Sequence, residues 1–357
     1  MDEKLHRGKG TASDLLAFQR LAWSTIVFSL TRRCPLSCPH CITSSGPWVR
    51  DPIVSPERAA RWAAELPELA AEGLKHITFT GGEPVLALEA IRIMAEAAQK
   101  VEIKTAVVTS GAWAATQRTA KRITQTLANV SHWDLGYDEY HEASLPWERF
   151  VRTVGALSEA KANFSVRVCE GNTEAATTEI VDRVRALVGK EVLIITQPVR
   201  KLGRASEFVQ LSRNGANFPQ QPCMSTGPLV REDGSVAPCC SGLAYDARGH
   251  HPFEFGNADE EGLGTIWRRW RADQLLRLMR LVGLALPVRW LADDGLIGKG
   301  FRLSDDVCET CVSLWSNTDP AGQLLRQHIA SAGFKAKLDD LERHLFGSVW
   351  GETPQSM

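Results

Sequence analysis

The chain has 357 residues, 44% apolar and 23% charged, with a formal net charge of -1 at pH 7. That length suits one large globular domain and a smaller one, and near-neutral charge offers no attraction to nucleic acid or an anionic membrane. The charged start "MDEKLHRGKG" lacks the apolar run of a signal peptide, and no stretch approaches the ~18 uncharged apolar residues of a membrane span. The expectation is a cytoplasmic protein without nucleic-acid or membrane partners.

From Ser24 to about Arg200, β-rich runs alternate with amphipathic, Ala-rich segments. The expected strands are "STIVFSL" (24–30), "HITFT" (76–80), "KTAVVTS" (104–110), "HWDLGY" (132–137), "NFSVRVC" (163–169) and "EVLIITQPV" (191–199). The first helix starts at Ser55-Pro56, an N-cap followed by an N1 proline, and stops near Gly73. "LALEAIRIMAEAAQK", "WAATQRTAKRITQTLA", "LPWERFVRTVGALSEAK" and "TEAATTEIVDRVRALVG" repeat the pattern. Such a rhythm gives a parallel sheet with helices outside, either partly closed as a (β/α)6 barrel or flat and doubly wound. In both cases function belongs at the C-terminal ends of the strands. The loops there hold "TRRCPLSCPHCITSSG", "TGGEP" (80–84), "TSG" (109–111) and "YDEYH" (137–141), so one rim is expected to carry one site.

After Gly203 the rhythm breaks. "QPCMSTGPLVREDGSVAPCC" reads as a hairpin around an "EDGS" turn. A helical segment, the pair "DDVCETC" and a helical tail follow. The expected division is an N-terminal extension (1–22), a barrel (23–212), a small α+β domain (213–320) and the tail (321–357).

Nine cysteines in a cytosolic chain are not a disulfide framework. Three lie at 34–41, one at 169, three at 223–240 and two at 308–311, a clustering that favours metal ligation. Cys34-x3-Cys38-x2-Cys41 has no fourth cysteine nearby, which leaves one coordination position open for chemistry. Soft thiolates suit iron-sulfur clusters, and a [4Fe–4S] cube on three cysteines keeps one iron free.

This triplet on the first loop of a βα barrel, with "TGGEP" after it, resembles the radical S-adenosylmethionine (SAM) superfamily. The resemblance implies a partial (β/α)6 TIM-like barrel in which the SAM amino and carboxylate groups chelate the free iron. One electron then cleaves SAM to methionine and a 5′-deoxyadenosyl radical. Gly81, Gly82, Glu83 and Pro84 match the segment whose backbone holds the SAM amino group, and adjacent glycines fit close approach of main chain to a ligand. His40 stands where the family places a ring against the adenine. Ser110 and Asp138 match positions that bind the SAM ribose or carboxylate, and Arg167 is a candidate partner of that carboxylate.

Cys223-x10-Gly234-x4-Cys239, then "FGNADEEGLGTIWRRW" and Cys308-x2-Cys311, look like a SPASM or shorter twitch auxiliary-cluster domain. The resemblance implies two [4Fe–4S] clusters, the second held by Cys223, Cys239, Cys308 and Cys311 without an open iron and so suited to electron transfer. Cys240 is a candidate hydrogen-atom donor, a buried thiol or an alternative ligand, whereas Cys169 reads as a buried thiol. "DEYHEASLPWE" offers Glu139, His141 and Glu142 as an acid or base but reads first as a solvated loop. Trp48 is a candidate cavity wall.

The implied activity is hydrogen abstraction from a ribosomally made peptide, ending in oxidation, crosslinking or epimerisation, with a reductant such as flavodoxin or ferredoxin. A small-molecule dehydrogenase or epimerase is the alternative, since about twenty residues before the first strand are few for a peptide-recognition domain. A non-catalytic iron-sulfur or zinc protein is the alternative of another class.

Overall fold

The structure, a computed structural model, describes residues 11–209, 222–241, 255–293, 295, 307–308, 310–311 and 320–349. Two compact units divide it. The first holds Ile26–Val209 and Val230–Gly234; the second holds the helix α1 (Ala12–Trp23) together with the remaining described C-terminal residues. The boundary expected at 212/213 lies outside the described residues.

All six expected strands form: β1 (Thr25–Ser29), β2 (His76–Thr80), β3 (Lys104–Thr109), β4 (His132–Gly136), β5 (Phe164–Cys169) and β6 (Ile194–Gln197). Their order in the sheet is β6-β5-β4-β3-β2-β1, without the reversal that defines a doubly wound sheet. Parallel pairing aligns the C-terminal ends, with Thr109 opposite Leu135, Gly136 opposite Arg167 and Cys169 opposite Gln197. A sequential, unclosed parallel sheet is the partial barrel, and its registers gather the loops that follow the strands on one rim.

The helices follow from caps and apolar spacing. Ser55 accepts from the Arg58 N–H to start α2 (Pro56–Ala64), and Thr173 accepts from the Ala176 N–H to start α8 (Glu174–Val188). Between them lie α3 (Leu66–Ala71), α4 (Leu88–Lys100), α5 (Gln117–Thr126), α6 (Glu139–Glu142) and α7 (Trp147–Glu159). The sixth strand is shorter than expected, Ile194–Gln197, and the helices depart most from expectation at two places. The helix after Ser55 breaks at Glu65, because Pro67 has no N–H for an α-helical bond. The helix expected from Trp113 starts only at Gln117, because Thr116 is extended and caps the Thr119 N–H. Phe28, Phe79 and Trp62 form part of the core beneath, with ring centroids 5.5–6.3 Å apart.

In the C-terminal part, β7 (Leu229–Val230) and β8 (Val236–Ala237) flank the expected turn, where the Gly234 N–H donates to Arg231 O at 2.9 Å. The second unit adds α9 (Ala258–Glu261), α10 (Leu263–Ala272), α11 (Gln274–Leu281) and α12 (Ala285–Asp293), then the tail helices Pro320–Ile329 and Ala332–Phe346. Among the described residues no helix is long and apolar enough to cross a membrane.

Candidate active site and iron-sulfur ligands

The cysteine loop leaves β1 and folds back on itself. The Cys34 N–H donates to Gly46 O at 3.4 Å, and the x2 spacing of Cys38 and Cys41 forms a turn closed by the Cys41 N–H on Cys38 O at 3.2 Å. Burial pushes the Cys34 thiol up to about 12, the Glu83 carboxylate adding to it, and burial pushes Cys38 up to about 11. The three thiols, gathered on one loop, are soft donors of the kind that an iron-sulfur cluster takes as thiolates. Sequence reading missed the groups that hold this loop. The Arg204 guanidinium donates to Cys38 O at 2.6 and 3.0 Å and to Ser45 O at 2.5 Å. Thr43 Oγ1 lies 3.3 Å from Cys41 Sγ, and Ser144 Oγ lies 3.8 Å from Cys38 Sγ. Trp48 is 55% exposed and covered by the Arg204 guanidinium at 5.2 Å.

The GGEP turn docks on this loop. The Gly82 N–H donates to Thr31 O at 2.6 Å and the Glu83 N–H to Arg33 O at 2.9 Å. A Cβ on Gly81, whose φ is +128°, would stand 2.2 Å from Thr31 O, and one on Gly82 2.2 Å from Arg33 O. Both glycines are therefore required by the approach of the turn to the cysteine loop's own main chain, whatever ligand lies beyond. Glu83 is fully buried and accepts from Thr109 Oγ1 at 2.8 Å, Ser110 Oγ at 3.1 Å and the Val85 N–H at 3.2 Å. Burial raises its carboxyl above the usual range, and those hydrogen bonds oppose the rise. Pro84 opens a 3-10 turn to Ala87. Glu83 and Ser110, separate in sequence, thus share one hydrogen-bonded group, with Thr109 an unanticipated third member.

At the end of β4 the solvated loop gives way to a buried group. Asp138 is 1% exposed and caps α6, accepting from the Tyr140 and His141 N–H groups at 3.1 Å each. It also faces His141 Nδ1 at 2.8 Å, His40 Nε2 at 3.4 Å and the Cys169 N–H at 3.2 Å. Burial alone would raise its carboxyl, but the charge and hydrogen bond of His141 and the bond to His40 hold it well below the usual range. Tyr140 stacks on His40 with centroids 4.9 Å apart, so the ring expected against an adenine is backed by a second ring. Glu139 is engaged with Asn172, and Glu142 with Tyr137 and Arg183. Arg167 binds Asp134 at 2.6 Å and Gln197 at 3.1 Å along the sheet. Cys169 is buried; burial pushes its thiol up to about 12, and Gln197 Nε2 donates to it at 3.5 Å.

In the second unit, burial and then the charges of Cys308, Cys240 and Cys223 push the Cys239 thiol well above its ordinary value. Cys311 is buried with its Sγ 3.8 Å from Met279 Sδ, and Cys308 Sγ lies 3.6 Å from Ser241 Oγ. Cys240 stands in the same group, its Sγ 2.8 Å from Thr226 Oγ1.

Family comparisons agree with this geometry. The Radical SAM superfamily description matches residues 28–169, and the SPASM iron-sulfur cluster-binding domain matches 223–311, bounds that coincide with Cys223 and Cys311. The chain is 21% identical over 314 residues to YydG of Bacillus subtilis (strain 168), named for peptide biosynthesis, covering 83% of this chain and 93% of that protein. PqqA peptide cyclases of Gluconobacter oxydans (strain 621H) and Methylobacterium nodulans (strain LMG 21967 / CNCM I-2342 / ORS 2060) are 31% and 36% identical over 87 and 90 residues. Those alignments span 24–25% of this chain and 23% of each cyclase. A solved structure of native anSMEcpe with bound AdoMet shares the fold, with a TM-score of 0.50 and 14% identity over 90% of this chain and 99% of that one. A cysteine loop docked on GGEP at the rim of an unclosed parallel barrel, and a second cysteine group after it in sequence, make this chain a member of the radical SAM superfamily with a SPASM-type iron-sulfur cluster-binding domain.

Proposed function

We propose that this radical SAM enzyme oxidises or crosslinks a ribosomally made peptide. The likeness to YydG over most of both chains carries the peptide reading, and the short likeness to PqqA peptide cyclases supports it. Cys34, Cys38 and Cys41 would hold one [4Fe–4S] cluster; Gly81, Gly82, Glu83, Pro84, Ser110, Asp138 and His40 would hold SAM. Bound together, the cluster and SAM would supply a 5′-deoxyadenosyl radical able to take one hydrogen atom from a substrate. The protein's own part is to fix the loop through Arg204 and the Gly81-Gly82 docking, to keep Asp138 ionised, and to exclude water around Glu83. Arg167, paired with Asp134 and Gln197, would reach a SAM carboxylate only by exchanging one of those partners.

In the second unit Cys223, Cys239, Cys308 and Cys311 would hold an electron-accepting cluster. Such a cluster would supply an acceptor for one electron, so that a substrate losing a hydrogen atom, that electron and a proton to solvent would end two hydrogens lighter. Flavodoxin or ferredoxin would supply the reducing electron for SAM. Epimerisation is the second reading, with Cys240 returning a hydrogen atom. It draws on the position of Cys240 beside Thr226, within the group yet outside the four expected ligands.

The test incubates anaerobically reconstituted protein, SAM and dithionite in deuterated buffer with a short peptide encoded beside the gene. A peptide two mass units lighter, unchanged in a Cys240→Ala variant, is expected. One solvent deuterium that depends on Cys240 would instead establish epimerisation. An untouched peptide, with a small molecule oxidised in its place, would reject the peptide reading.

A further inference from the structure

Helix α11 carries two fully buried arginines one turn apart, and only one is neutralised by acid. Arg277 binds Glu342 at 2.7 and 2.8 Å and Asp339 at 2.6 Å. Arg280 is 2% exposed, and its partners are neutral. It donates to Gln19 Oε1 at 3.3 Å, Ser225 Oγ at 3.4 Å and Thr226 O at 3.0 Å. Its guanidinium lies over the adjoining rings of Trp23 and Trp270, 5.5 and 5.2 Å from their centroids. Among the described residues no carboxylate lies within ion-pair distance of it. A buried guanidinium without a counter-charge is costly and calls for one.

The cysteines supply it. Ser225 Oγ, which accepts from Arg280, also accepts from Cys223 Sγ at 3.4 Å. Thr226, whose carbonyl accepts from Arg280, places its hydroxyl 2.8 Å from Cys240 Sγ. The Cys223 N–H donates to the carbonyl of Met279, the residue before Arg280, at 2.9 Å. The guanidinium is thus tied by two adjacent residues to the start of the cysteine group; burial disfavours its charged form, and the charges of Cys223, Cys239 and Cys240 work against that burial cost.

We propose that Arg280 is the resident cation of the second iron-sulfur site, placed to raise the reduction potential of the cluster bound there. This rests on the reading that Cys223, Cys239, Cys308 and Cys311 hold a cluster. Thiolate ligation makes the site anionic, and reduction adds one more negative charge at the same place. A fixed positive charge beside it favours the reduced form, and net charge and hydrogen bonding are the protein's levers on such potentials. A higher potential suits a cluster that must take an electron from a substrate radical. Arg280 is on this account a positioning residue acting through the cluster.

The test uses the full-length chain with Cys34, Cys38 and Cys41 replaced by Ala, so that only the second site reports. Midpoint potentials are read by redox titration with electron paramagnetic resonance, and iron is counted in parallel. Arg280→Gln should shift the midpoint downward, and Arg280→Lys should stay near the parent. Should the Gln variant fail to retain iron, Arg280→Met, which keeps an apolar stem against the two tryptophans, carries the same comparison. An unchanged midpoint at full iron content overturns the proposal. So does loss of iron in all three variants, which would make Arg280 a folding residue. A parent without iron rejects the ligand assignment itself, an outcome visible before any arginine is changed.

Discussion

His40 and Asp138 face each other across 3.4 Å, Nε2 to Oδ2, joining the cysteine loop to the end of β4. The same carboxylate accepts from the Cys169 N–H and caps α6, so one buried charge ties three segments of the rim. Asp138→Asn removes the charge and turns an amide NH2 toward groups that are themselves donors. The expected result is an intact fold with SAM affinity reduced roughly tenfold, about 1.4 kcal/mol. Equilibrium dialysis with radiolabelled SAM measures it, and parental affinity would remove Asp138 from the SAM-binding set.

Gly82→Ala sets a methyl group 2.2 Å from Arg33 O, where both partners are main chain and neither can swing aside. The turn must separate from the cysteine loop, breaking the Gly82 and Glu83 N–H bonds to it. We expect a loss of roughly 1–3 kcal/mol by thermal unfolding and poor iron retention at the first site. An alanine variant as stable and as iron-rich as the parent would contradict the docking.

Arg204→Ala removes the guanidinium bonds to Cys38 O and Ser45 O and uncovers Trp48. Iron should leave the first site several-fold faster under a chelator, with Arg204→Lys intermediate because it cannot form the planar fork. Equal release rates in all three proteins would show that the loop holds itself.

The strands were legible because each is a short apolar or alternating run, and the parallel register then follows from the helices between them. The Cys34, Cys38 and Cys41 spacing, the GGEP turn and the C-terminal cysteines were equally local signals. What sequence could not show are bonds between distant segments. Arg204 reaches Cys38 from the far end of the barrel sequence, Thr109 completes the Glu83 group, and Tyr140 stacks on His40. Their side chains look ordinary in sequence, and only the register of β3 and β4 brings the last two to the rim. Helix α1 was overlooked although Thr11 and Asp14 form a capping box.

Arg277 and Glu342 are both buried, at 2% and 0% side-chain exposure. Arg277→Met removes the guanidinium that binds the buried Glu342 and Asp339 carboxylates and should cost about 3–5 kcal/mol. Burial works to raise the Asp339 carboxyl, but the hydrogen bond and charge of Arg277 outweigh it and lower it. A lowered folded-state value means that this stabilisation is present above the ordinary carboxylate range and is lost as pH falls through the folded value. The parent should therefore lose more stability than Arg277→Met on going from pH 6 to pH 3, as read by denaturant unfolding. Parallel pH profiles would contradict the assignment.

Counting iron and 5′-deoxyadenosine together in Cys34→Ala/Cys38→Ala/Cys41→Ala protein tests the central claim most directly. The reconstituted parent should hold about eight irons and the variant about four, the count for two [4Fe–4S] clusters and for one. The parent should form 5′-deoxyadenosine from SAM under dithionite, and the variant none. Parental SAM cleavage by the variant would contradict the account.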